Sequence, residues 1–165
     1  MSKKIEELKA KILEAHKNED IASLYVLEQE VHELLDEDMI NAYYTNILDL
    51  ALEKLTNMLE AHIRMDMKNV QDFATIRALY EYAIEHYSAG KAKDASALFE
   101  VLSGLTNDDA FSKSLSIHTI ASAENLPFEN FLESIADIPA TQNAGTFYIS
   151  HFQNKAQELL DNSKS

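Results

Sequence analysis

The chain has 165 residues, 46% of them apolar and 25% charged, with 28 Asp and Glu against 14 Lys and Arg. That is enough chain for one domain with its own core, and the three glycines and two prolines are too few for a protein built on tight strand turns. The net charge of −14 repels phosphate backbones and anionic lipid, so it argues against nucleic-acid and membrane-surface partners and serves solubility or a basic protein partner instead.

The periodicity predicts an all-α bundle of about eight helices, read as a single helical domain over 1–165. Its parts are an N-terminal region 1–68, a hairpin region 69–138 and a C-terminal helix over 139–165. The first helix covers roughly Lys3 to His16, with Ile5, Leu8, Ile12 and Ala15 on one face. Asn18 to Asp20 interrupts it and offers caps for a second helix carrying Leu24, Leu27, Val31, Leu34 and Leu35. Asp36, Glu37 and Asp38 stand where acids suit the positive end of a third helix, reaching from about Asp38 to Met65. Its apolar stripe is too wide for a helix packed on one side, so it is either the central post of the bundle or part of a subunit interface.

A fourth helix starts near Asn69 or Asp72 and ends at Ala89, and a fifth runs from about Lys93 to Leu105. Asn107 to Asp109 can cap a sixth, bearing Phe111, Leu115, His118 and Ala121. Pro127 opens a short seventh with Phe128, Phe131, Leu132 and Ile135, which Ile138 and Pro139 stop. Ala140 to Gly145 reads as a loop. An eighth helix holds Phe147, Tyr148, Phe152, Ala156, Leu159 and Leu160, and the tail Asp161 to Ser165 is expected to fray.

Chemistry is sparse in this pattern. No Glu-x-x-His pair supports a di-metal bundle, and His32 lacks the second histidine of a zinc-protease helix. Gly90, Gly104 and Gly145 lie too far apart for a phosphate loop, and without cysteine there is no thiol nucleophile or disulfide. No catalytic site, metal or cofactor is expected. The N-terminus carries charges every few residues and no run approaches the ~20 apolar residues of a membrane span, so a cytoplasmic protein is expected. Glu19 to Asp38 holds eight acids and no Lys or Arg, and Ser114 to Asn154 has no Lys or Arg either. The second of these reads either as a docking face or as ordinary solvated surface.

The most specific stretch is Leu79 to Asp109. Small residues Ala83 and Ala95 flank the turn at Gly90, and Phe99 and Leu102 fill the space beneath them. Leu79, Tyr82, Ala83 and His86 form the expected inner face of the first helix. This layout resembles a tetratricopeptide-repeat hairpin, and most of all the first repeat of class II chaperones of type III secretion systems; flagellar export chaperones or co-chaperones are a sibling possibility. The usual proline at the end of the repeat is replaced by Asn107, and the next unit lacks the glycine and the paired alanines.

The resemblance implies a non-catalytic chaperone or adaptor that holds a secreted or flagellar protein or peptide client, with a possible homodimer. It implies a concave groove formed by Arg77, Tyr80, Ile84, Tyr87 and Ser88, followed by Phe111, Ser114, His118 and Ala121. The competing readings are that these side chains pack internally, that the chain is an oligomerising structural protein, or that it is an enzyme with an unrecognised site.

Overall fold

A computed structural model describes residues 2–163, and every element of regular structure in them is helical apart from two isolated bridges. The helices are α1 (Ser2–Lys17), α2 (Ile21–Val26), α3 (Glu28–Leu34), α4 (Glu37–Ala61), α5 (Val70–Ser88), α6 (Ala92–Leu105), α7 (Asp109–Ala123), α8 (Phe128–Asn130), α9 (Ile138–Ala144) and α10 (Lys155–Ser163). A π-helical turn, Phe131–Ile135, continues α8. The all-α expectation holds. Where no linker is visible in the sequence, the contacts sort the chain into two compact units, and the boundary falls inside α5 between Ala78 and Leu79.

The first unit takes the chain up to Ile63 together with Met67–Ala78. Helix α1 ends because Glu19 adopts a left-handed conformation, φ 55°, which lets the Glu19 N–H reach His16 C=O and the Asp20 N–H reach Ala15 C=O at 2.8 Å. Asp20 then caps α2, accepting the Ser23 N–H at 3.0 Å and the Ser23 hydroxyl at 2.7 Å. Gln71 braces this junction, donating to Asp20 Oδ1 and accepting the Ala22 N–H. The Ser23 hydroxyl, Gln71 and the Ser23 N–H together hold the Asp20 carboxyl below its usual range.

The expected second helix is two helices, parted at Leu27. Asp36 caps α4 through the Met39 N–H at 2.9 Å, and α4 buries only Tyr43, Ile47, Leu50 and Ala51. The Tyr43 hydroxyl donates to the Leu24 carbonyl, fixing α4 against α2. Leu8, Ile21, Leu24, Val31 and Ile47 complete this core.

The second unit comprises Arg64–Asp66 and the chain from Leu79 onward. Its core is aromatic: Tyr80, Tyr87, Phe99, Phe111 and Phe131 are buried, with Ala83 and Ala95 fully enclosed. Gly90, at φ 84°, closes α5: its N–H meets Tyr87 C=O and the Lys91 N–H meets His86 C=O. The same pair of bonds recurs 35 residues later, Asn125 to Ser122 and Leu126 to Ala121, with Asn125 at φ 61° in the glycine's place. The helix-turn-helix rhythm therefore repeats once although the glycine does not. Asp108 caps α7 through the Phe111 N–H at 2.8 Å. Ser96 bonds to Thr119 C=O and Ser112 to Ser103 C=O, which sets α6 antiparallel to α7.

The C-terminal part departs from expectation. Ile138 and Pro139 do not stop a helix; they begin α9, with Asp137 accepting the Ala140 N–H and proline in the first turn, where no donor is needed. Residues 146–154 are not helical. They form a strap, pinned to Ala136 by an antiparallel bridge at Phe152. Helix α10 reaches Ser163, and the last two residues of the expected frayed tail lie outside the described residues.

Candidate functional site

The groove anticipated from the sequence is not an open surface. Tyr80, Tyr87, Phe111, Ser114, His118 and Ala121 are all buried, His118 and Phe111 at 0% exposure. Arg77 belongs to the first unit, where it pairs with Glu28 at 3.1 Å and lies 4.1 Å from the centre of the Tyr25 ring. Ile84 is half-buried and Ser88 exposed, its hydroxyl donating to Glu85 C=O. The correction has a physical reason. The buried stripe of α5 in the second unit is Leu79, Tyr80, Ala83 and Tyr87, because this part of the helix meets α6 through Phe99 and α7 through Phe111 and His118. Tyr82 and His86, assigned inward from the sequence, are half-buried and meet edge to face.

What the structure brings together is a polar chain inside the aromatic core. Ser114 C=O can only accept, so His118 Nδ1 carries the proton and donates to it at 2.7 Å. His118 Nε2 therefore accepts from the Tyr80 hydroxyl at 2.7 Å, and the Tyr80 oxygen accepts the Ile149 N–H at 3.0 Å. Burial drives the imidazole down to about 4, only partly opposed by the Ser114 bond, and drives the Tyr80 phenol well above its usual range. Burial also pushes Tyr87 up to about 12, and its hydroxyl donates to Leu126 C=O at 2.6 Å. Every donor and acceptor in this chain is satisfied, so the histidine is held neutral and anchors the strap to α5 and α7.

Beside that anchor lies a cleft of about 630 Å³, within the range typical of ligand sites. Helix α7 contributes Ala110, Lys113, Ser114 and Ile117 to its wall. The strap contributes Tyr148, Ser150, His151, Phe152 and Asn154, and α10 supplies Ala156, Gln157 and Leu160. Thr141 fixes the strap by accepting the N–H groups of both Ser150 and His151. Ser150 Oγ lies 2.9 Å from His151 Nδ1 and 2.9 Å from Thr146 Oγ1, whose proton goes to Tyr148 C=O. Protons therefore run from His151 through Ser150 to Thr146, an arrangement that leaves the serine a donor to a hydroxyl and not a nucleophile activated by a base.

Of the anticipated groove residues, Ser114 alone lines this cleft. The wall residues that the groove reading missed fall mostly in the stretch Ser114 to Asn154, and the lack of Lys and Arg there was the one hint of them in the sequence, without showing that they form a cleft. Among the described residues there is no group of His, Asp and Glu able to hold a metal ion, and no helix long and apolar enough to cross a membrane.

Fold and site together define an all-α protein with a cleft of mixed polar and apolar wall beside an aromatic core. The sequence matches no family model, and no curated protein and no solved structure is significantly similar to it.

Proposed function

We propose that the chain is a non-catalytic protein-binding module that holds a segment of a partner polypeptide in the cleft of α7, the strap and α10. The observation that carries this reading is the cleft wall. Polar groups, among them Lys113, the Asn154 side chain and the Phe152 backbone, lie beside the apolar Ile117, Ala156 and Leu160 around a volume of about 630 Å³. Such a wall satisfies a peptide backbone by hydrogen bonds and buries apolar side chains beside it. The tetratricopeptide-like hairpin supports a role as a chaperone or adaptor for a secreted or flagellar partner, as in the secretion chaperones it resembles. A homodimer is a second reading, favoured by Met39 and Leu59 of α4, which stand 38% and 49% exposed.

Photo-crosslinking in the native cytoplasm tests the first reading. A benzophenone amino acid at Gln157, in the cleft wall, should yield a defined heterologous adduct. The same group at Val101, exposed on α6 and outside the wall, should not. Adducts of equal yield from both positions, or none from Gln157, would overturn it, and a self-adduct of twice the chain mass from the same group at Leu59 would favour the dimer.

A further inference from the structure

The strap has one paired edge and one open edge. Across the paired edge, the Asp137 N–H donates to His151 C=O and the Gln153 N–H donates to Ile135 C=O, both at 2.8 Å. These two bonds bracket the facing pair Ala136 and Phe152 without joining it. In that antiparallel register the N–H and C=O of Phe152 point to the opposite edge. Phe152 lines the cleft, and neither of its backbone groups has a hydrogen-bond partner among the described residues. The flanking strap groups are engaged elsewhere: Gln153 Nε2 donates to Glu133 C=O and Ala136 C=O, and the Ser150 and His151 N–H groups are held by Thr141. An unpaired backbone edge inside a cleft is a template for a further strand.

Charge selects what that strand carries. The chain has 28 acidic residues, yet the cleft wall has no Asp or Glu; its ionisable side chains of basic character are Lys113 and His151. Lys113 is exposed and forms no ion pair among the described residues. Asp108, whose charge is felt at Tyr148, is engaged in capping α7. A carboxylate entering the cleft therefore meets a lysine with no competing partner, whereas a lysine or arginine would find no carboxylate in the wall. Ile117, Ala156 and Leu160 provide the apolar floor for side chains on alternate positions of a strand.

We propose that the cleft takes an extended, acid-bearing peptide as a β-strand added to the Phe152 edge, with the peptide carboxylate paired to Lys113. This rests on the reading of the cleft as a polypeptide-binding site, and adds the partner's charge and its conformation.

The probe is a phage-displayed library of random linear decapeptides, panned against the full chain. Enriched sequences should carry Asp or Glu at a fixed position within alternating apolar residues. A fluorescein-labelled copy of the best one should lose roughly tenfold in affinity against Lys113→Glu and keep it against Lys113→Arg, as expected when a charge-assisted bond is lost. N-methylation of the peptide amide that faces Phe152 should weaken binding by a similar factor, and exchange of the Phe152 amide proton should slow on binding. A basic or uncharged consensus, indifference to N-methylation, or no enrichment would overturn the proposal. If Gln157 still cross-links a partner in that event, the binding module stands and only the acidic strand is lost.

Discussion

His118 makes the stability of the second unit dependent on pH in a calculable way. The imidazole is fully buried and donates to Ser114, so it protonates at about 4 in the folded chain against 6.5 in an ordinary histidine. Between those values the unfolded chain binds more protons than the folded one. Stability contributed by the neutral imidazole is therefore complete above about pH 7 and lost as pH falls toward 4. Each pH unit in that window costs about 1.36 kcal/mol, so lowering the pH from 7.5 to 5.0 should remove about 2 kcal/mol on account of this one group. The 28 carboxylates contribute their own pH dependence, and His118→Gln separates the two. Glutamine can accept from Tyr80 and donate to Ser114 C=O without titrating. Urea unfolding followed by circular dichroism should show a loss between pH 7.5 and 5.0 that is smaller by about 2 kcal/mol in His118→Gln than in the natural chain. Equal losses in the two proteins would refute the reasoning. So would an NMR titration of the His118 ring protons with a midpoint near 6.5.

Two further outcomes follow from the backbone and the core. Gly90→Ala should destabilise by about 1 kcal/mol from conformation alone, since an added Cβ meets nothing within 4 Å at φ 84°, whereas Asn125→Gly should stabilise by up to about 1 kcal/mol; thermal unfolding of both variants checks the pair. Phe99→Ala, at a fully buried position touching Tyr80, Tyr87 and His118, should cost about 3–5 kcal/mol in denaturant unfolding, and a loss under 1 kcal/mol would mean that the aromatic cluster is not the core.

The helix starts were legible in the sequence because their cause is local. Asp20, Asp36, Asn69 and Asp108 each accept a backbone N–H two or three residues ahead, and short polar side chains before an apolar run announce that bond. The turn at Gly90 was legible for the same reason. The turn at Asn125 was obscured because asparagine is common in loops of every kind, and only the pair of bonds to Ser122 and Ala121 identifies its left-handed role. Which face of α5 lies inward was not legible. Tyr80 and Tyr82 are equally amphipathic in sequence, and the choice was made by Phe99, Phe111 and His118, residues 17 or more positions away along the chain. The strap was hidden for a related reason. Phe147, Tyr148 and Phe152 have a helical spacing, but Thr141 captures the N–H groups of Ser150 and His151 that a helix would have needed. The cleft rests on the strap and was hidden with it.

Helix α5 gives its residues up to Ala78 to one unit and those from Leu79 to the other. Any cut placed at that boundary breaks a continuous run of main-chain bonds and leaves each fragment with half a helix and an exposed flank of its own core. The two units are therefore not interchangeable modules. Shuffling or truncation that respects the packing has no seam to use there.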